Sequence, residues 1–248
     1  MEDKLRIIAV GPTAISLAGG VFEGQYADCG AVSCIENPGD EELEMLPPEP
    51  RTRLVLYASG GVTLEQLRRV VTLAKIGGRM MACELSEPSV PSHLARHVGA
   101  PVLFKVGDRS ECHTALACLL GMLYRPGTIG VDWDDIFSLF SGDDYVVFQV
   151  TKGNDPGAAV QAIEKALATW RGSIDLFDNY LVSFYGGSQS LDMKEIQEAS
   201  QLLSKAGQDD ANIIWAASLN DQMEGMVQLT IFAGVEQNVP KMAKDVHV

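Results

Sequence analysis

Two stretches of this sequence hold groups placed where they could do chemistry. In Gly130-Val131-Asp132-Trp133-Asp134-Asp135, Asp132 and Asp135 stand three apart at the start of an expected helix over 133–140. Two carboxylates so placed can polarise a water or hold a cation, which is what hydrolysis needs. The same pair also suits any helix N-terminus, where carboxylates cap unpaired N–H groups and face the positive end of the dipole. The second stretch, Ser59-Gly60-Gly61-Val62-Thr63, is a tight turn that can hold an anion at the start of a helix over 63–75. A strand-to-helix turn with two glycines is equally at home in a sheet that binds nothing. Thr63 is a good cap there, its hydroxyl accepting the N–H of Gln66.

Other reactive residues form no such pattern. The five cysteines (Cys29, Cys34, Cys83, Cys112 and Cys118) are odd in number and contain no C-x-x-C pair, which fits reduced thiols. His93 and His97 are four apart, one face of a helix, but no acidic third ligand accompanies them and Pro88 and Pro91 precede them, so no metal site is expected. The net charge of −14 is uneven: residues 1–125 carry 12 basic and 15 acidic side chains, residues 126–248 carry 7 and 18. Without clustered Lys and Arg, nucleic acid is not an expected partner. The acidity serves solubility or meets a basic partner. No apolar run approaches the roughly 20 residues of a membrane span, and Met1-Glu2-Asp3-Lys4 opens no signal peptide, so a cytoplasmic protein is expected.

The elements that must position these residues follow from apolar patterning. Short apolar runs at 5–10, 31–35, 54–58, 79–84 and 102–106 read as strands, with helices expected from Ile15 to Gly20 and over 63–75. Strand, helix, strand in this order argues for a parallel sheet with helices packed on it. Residues 40–50 are acidic and proline-bearing, hence surface loop. The helix over 108–123 is apolar on nearly every face and is expected to be buried on both sides, as a spine between two domains. After Arg125 come helix 133–140, strand 145–151, helix 158–170, strand 179–185, helix 193–206 and strands 211–219 and 226–235, an α+β layer expected to form a largely separate sheet. The expected division is 1–107, central helix 108–125, second domain 126–240 and a tail over 241–248.

From Arg125 onward the chain resembles the C-terminal domain of the FtsZ/tubulin family. The residues that carry the resemblance are Tyr185-Gly186-Gly187; Leu191 with Glu195, Glu198 and Ala199; the run Asp210 to Ala217; and Val227-Gln228-Leu229-Thr230-Ile231-Phe232-Ala233-Gly234. Their order and spacing agree over about 120 residues, and 146–165 matches a further strand, turn and alanine-rich helix. The implied fold is α/β: a Rossmann-like N-terminal parallel sheet, a central helix and an α+β C-terminal domain. Residue by residue, these positions are fold determinants and say little about chemistry. Gly186 and Gly187, for instance, can end a strand where the backbone needs positive φ.

The resemblance also implies roles. Asp132 and Asp135 match two acidic positions of a family loop that reaches the neighbouring subunit's nucleotide and promotes water attack on its γ-phosphate; Gly130 stands where the family has asparagine. In the family, glycine-rich loops surround the phosphates of GTP or GDP. Here Gly11, with Thr13, occupies the first of these, beside Pro12, whose nitrogen cannot donate. The longest loop is reduced to Ser59, Gly60, Gly61, Val62 and Thr63. No asparagine lies in 108–123 to meet a purine, and the stretch from 84 to the central helix is short. These departures imply a pseudo-GTPase of the cell-division or cytoskeletal class that acts through association with itself or another FtsZ-type subunit. The alternatives are a divergent polymerising GTPase and a small-molecule binder using the crevice at the strand ends. The chain stops at Val248 without the family's linker and tethering peptide, so direct membrane attachment by that route is not expected.

Overall fold

Continuous apolar runs become strands here because both faces of the first-half sheet are covered. The computed structural model describes residues 4–23, 26–36, 51–76, 78–86, 97–125 and 127–235; His93, the acidic loop 40–50 and the tail 241–248 lie outside the described residues. Strands β1 (Leu5–Val10), β2 (Gly30–Ile35), β3 (Thr52–Ala58), β4 (Arg79–Leu85) and β5 (Val102–Val106) are all parallel, in the order β2-β1-β3-β4-β5. Alternate side chains go to opposite faces. Ile7, Ala9, Leu54 and Leu56 pack against α1 (Pro12–Ala18), while Ile8, Val10, Val55 and Tyr57 pack against α2 (Leu64–Ala74). Helix α1 begins at Pro12, three residues before the expected Ile15. Proline at the first helical position loses only an N–H that the helix could not use.

The chain then enters α3 (Arg109–Tyr124), β6 (Gly127–Ile129), α4 (Trp133–Phe140), β7 (Tyr145–Asn154), α5 (Ala158–Thr169), β8 (Phe177–Gly186), α6 (Met193–Ala206), β9 (Asn212–Leu219) and β10 (Met226–Val235). The expectation of a largely separate second sheet is corrected: all ten strands form one sheet, ordered β2-β1-β3-β4-β5-β7-β10-β8-β9-β6. The join is narrow, a parallel bridge between Phe104 of β5 and Val146 of β7. Beneath it Phe104 and Phe148 both meet the Phe232 ring, at 5.6 and 5.7 Å between centroids. One apolar core therefore runs from Leu5 and Leu54 through α3 and α4 to Leu181 and Phe232, whereas α5 and α6 cover a core whose buried residues come from 158–235, with Ile129, Tyr145 and Val147 packed against it.

Helix α3 departs from its expected burial on both sides. Cys112, Ala115, Leu116, Leu119 and Leu120 are buried, but His113, Thr114 and Ala117 are exposed, Thr114 where a cleft opens beside the first half of the helix. The Gly186-Gly187 pair is also explained differently. Neither residue has positive φ; a Cβ at Gly186 would stand 2.8 Å from Met226 O and one at Gly187 2.7 Å from the Glu224 carboxyl carbon, so the glycines answer to close packing.

Candidate functional site

The carboxyl ends of β3, β4 and β5 surround a crevice of about 380 Å³. Of the residues singled out in the sequence, Thr13, Ser59, Gly60 and Gly61 line it. Gly11 stands behind them, with φ of 83° and its backbone against Gly61, where a Cβ would come within 3.3 Å of the carbonyl oxygen. Thr63 turns to its own helix. Its hydroxyl accepts the Gln66 N–H at 3.2 Å and its N–H donates to Gln66 Oε1 at 2.9 Å, a reciprocal capping box.

A phosphate site needs N–H groups pointing outward, and several of those here are already engaged, while those of Thr13 and Gly60 make no such bond. Gly11 donates to Ile35 O at 2.9 Å, Ser59 to Leu85 O at 2.9 Å, Gly61 to Ala58 O at 3.0 Å and Ser86 to Val106 O at 3.0 Å. Pro12 has none to give. The N–H of Gly107 donates to the Glu111 carboxylate. Asp108, which lines the crevice and caps α3, accepts the Glu111 N–H at 2.8 Å. Arg109, next in the chain, donates to Ser16 Oγ at 2.7 Å. On the α3 side two carboxylates, Asp108 at the crevice and Glu111 on the Gly107 N–H, outnumber the Arg109 cation, and like charge from Asp108 opposes a phosphate.

Sequence reading passed over Asp108 and Glu111 because a carboxylate at a helix start is ordinary by itself. It also passed over Glu84, fully buried in β4, which accepts the Tyr57 hydroxyl from the neighbouring strand. A single glutamate within the apolar run Met80-Met81-Ala82-Cys83-Glu84-Leu85 was the available signal. Beside it the Cys83 and Cys112 thiols share a hydrogen bond. That bond, and then burial, pushes Cys83 well above the usual thiol range, while the same bond draws Cys112 down.

Asp132 and Asp135 are brought together, but elsewhere. Asp132 is the N-cap of α4: its carboxylate accepts the Asp135 N–H at 3.0 Å and its N–H donates to the Asp135 carboxylate at 2.9 Å. Between them Trp133 is buried and donates to Tyr124 Oη at 3.3 Å, and Asp134 pairs with Arg79 at 2.7 Å. Arg79 is the first residue of β4, whereas Leu85, its last, lines the crevice. Seven extended residues separate the two by roughly 20 Å. The aspartates and the crevice therefore lie at opposite ends of the sheet. At position 130 a Cβ would meet nothing within 4 Å, so the backbone leaves room for a larger residue. Among the described residues no cluster of three or more metal-ligating side chains occurs, and no helix is long and apolar enough to cross a membrane.

Comparison with known proteins agrees with this architecture. Residues 146–236 match the model of the FtsZ family, C-terminal domain. The cell division protein FtsZ of Rhizobium radiobacter is 26% identical over 141 residues, covering 52% of this chain and 24% of the relative. FtsZ 1 of Rhizobium meliloti (strain 1021) is 24% identical over 135 residues, covering 53% and 23%. The matched stretches thus span about a quarter of the length of these curated relatives. Among solved structures, the empty FtsZ dimer of M. jannaschii superposes with a TM-score of 0.68 at 14% identity, over 100% of this chain and 96% of that one. CetZ2 from Haloferax volcanii, solved as a GTPγS-bound protofilament, gives 0.65 at 14% identity over 95% and 94%. The fold is of the FtsZ/tubulin type, and the chain is a divergent FtsZ-like protein.

Proposed function

We propose that this chain is a pseudo-GTPase subunit of the FtsZ-like cytoskeletal and cell-division class, acting by association with itself or another FtsZ-type subunit. The observation that carries the reading is the state of the crevice. The N–H groups of Gly11, Ser59, Gly61, Ser86 and Gly107 bond within the chain, leaving those of Thr13 and Gly60, and Asp108 and Glu111 stand on its α3 side. A phosphate entering there loses its own hydration and finds few donors in return. The chain keeps Asp132 and Asp135 at the other end of β4, where they are available to a neighbour. A subunit that offers acidic residues at one end and a poor pocket at the other joins, caps or modulates a filament without a nucleotide cycle of its own. Such an interface is heterologous, one end meeting the other.

A second reading has one observation in its favour. Thr13, Ser59, Gly60 and Gly61 do converge on a crevice at the carboxyl ends of parallel strands, where α/β proteins hold ligands. On that reading the chain is a divergent GTPase that polymerises with GTP or GDP between subunits, in the manner of the GTPγS-bound protofilament of CetZ2. Calorimetric titration with GTP and GDP, run beside sedimentation with and without nucleotide, separates the two. Absent binding at millimolar nucleotide is the expected result; micromolar binding with nucleotide-dependent sedimentation moves the assignment to the GTPase.

A further inference from the structure

Strand β7 pairs along its whole length with β10 on one side, but its other edge meets β5 only at the Phe104–Val146 bridge. Which backbone groups face that open edge follows from the ladder. Asp155, just past the strand, donates to Gly225 O at 3.0 Å. Groups alternate along an antiparallel pair, so the odd-numbered residues of β7 turn their N–H and C=O to β10 and the even-numbered ones turn away. The far end of the strand agrees. Lys165 Nζ donates to Lys152 O at 2.6 Å, and the Gln161 side chain bonds both the N–H and the C=O of Asn154, at 3.4 and 2.8 Å.

Between the bridge and this clamp the edge is bare. The group that would extend the ladder past Val106 is the Gly107 N–H, and it turns aside to the Glu111 carboxylate. The C=O of Phe148 and the N–H and C=O of Val150 are thereby left facing a cleft of about 470 Å³, with no partner among the described residues. Gln149 Oε1 is buried at the same place and also lacks a hydrogen bond. Asp108, Glu111 and Thr114 form one wall of the cleft and Trp170 part of another; among the described residues that line it none is basic, Lys105 lining the adjoining cavity.

We propose that this cleft takes a short extended peptide segment of a partner protein as an added strand on β7. Main-chain bonds to Phe148 and Val150 hold it, as in other cases of strand addition to an open edge. Successive side chains of a strand point to opposite faces. A lysine or arginine directed at Asp108 and Glu111 therefore places its neighbour toward Trp170, where an apolar side chain fits. The occupant is a basic residue next to an apolar one, in a stretch of about three residues, which is the length of edge left open.

The probe is a capped, fluorescein-labelled hexapeptide alternating lysine and leucine, titrated onto the whole chain and followed by anisotropy. Two control peptides carry glutamate for lysine, or N-methyl groups on alternate amides. Saturable binding of the lysine peptide is expected, with at least tenfold weaker binding for each control. Val150→Pro removes one edge N–H without touching the β10 ladder, a position where proline is tolerated, and should weaken binding tenfold. Should that variant melt abnormally, hydrogen exchange in the unaltered chain gives the same information: saturating peptide should slow the Val150 amide at least tenfold. Equal binding of the N-methylated peptide, unchanged Val150 exchange, or no binding of the lysine peptide at millimolar concentration would each overturn strand addition. Equal binding of the glutamate peptide would overturn the basic occupant.

Discussion

Asp132→Ala removes one carboxylate and exposes two structural bonds at once. The Asp135 N–H loses its acceptor, and Asp135 loses the geometry that lets it hold the Asp132 N–H. Loss of an N-cap side chain costs about 1 kcal/mol, with a range of roughly 0.5–2. The exposed position of Asp132 lets water replace part of the loss, so the lower half of that range applies. Helix α4 is held independently by Trp133, Ile136 and Phe140, all buried, so the helix stays formed. In a chain of this size 1 kcal/mol moves the melting midpoint by about 2–4 °C. The double replacement with Asp135→Ala should cost little more than the single one, because the two side chains form one reciprocal unit. Asp132→Ser should keep most of the stability, since serine caps equally well. Urea melts followed by circular dichroism measure all three. A loss of 3 kcal/mol or more for the single variant would show a buried anchor in place of a cap. With folding intact, the trans role becomes testable: the unaltered chain should change the turnover or polymer length of an active FtsZ-type partner, and the doubly substituted chain should not.

Millimolar GTP should raise the melting temperature by no more than about a degree; a ligand at 100 times its Kd adds about 2.7 kcal/mol and would shift it several degrees. Gly130→Asn should fold normally and stay within about 1 kcal/mol of the parent in a urea melt, because the Cβ enters open space and φ is not in the left-handed range. Iodoacetamide followed by peptide mass analysis should label the exposed Cys34 first. Cys83 and Cys112, both buried, should react only on unfolding, and the raised pKa of Cys83 acts in the same direction.

How much of this was legible in the sequence depends on the range of the interaction concerned. Strands β1, β5 and β10 and helices α4 and α6 coincide with their sequence-based bounds, because each is written in local apolar period and capping residues. Thr63 with Gln66, and Asp132 with Asp135, are capping boxes readable at a spacing of three. The join of the two halves was not legible, since Phe104 and Val146 are apolar residues like many others and only the fold pairs them. Nor was β6, a three-residue strand made by Ser218 and Ala217 of β9 as much as by itself. The acidic side of the crevice escaped for a similar reason. Asp108 and Glu111 read locally as a helix start, and their meaning for a phosphate comes from Thr13, Ser59, Gly60 and Ser86 arriving beside Asp108.

The separation of the two acidic clusters bears on which partner the chain prefers. Asp132, Asp134 and Asp135 lie at the amino end of β4, and Asp108 and Glu111 flank the crevice at its carboxyl end. In a head-to-tail contact between identical copies these clusters would approach one another, with Arg79 already engaged by Asp134. Like charges so placed repel, by about 1 kcal/mol per pair at 4 Å in water and more as water leaves. The net charge of −14 adds a longer-range term of the same sign. Self-association through these ends should therefore be weak at low salt and strengthen as salt screens the repulsion over a Debye length of about 10 Å at 0.1 M. A partner with a complete phosphate pocket, and the cations such a pocket carries, meets the aspartates without this cost. Sedimentation of the chain alone across 20–500 mM salt tests the argument. Self-association that weakens as salt rises would mean that attraction between unlike charges holds the copies together, and the preference for a different subunit would fall.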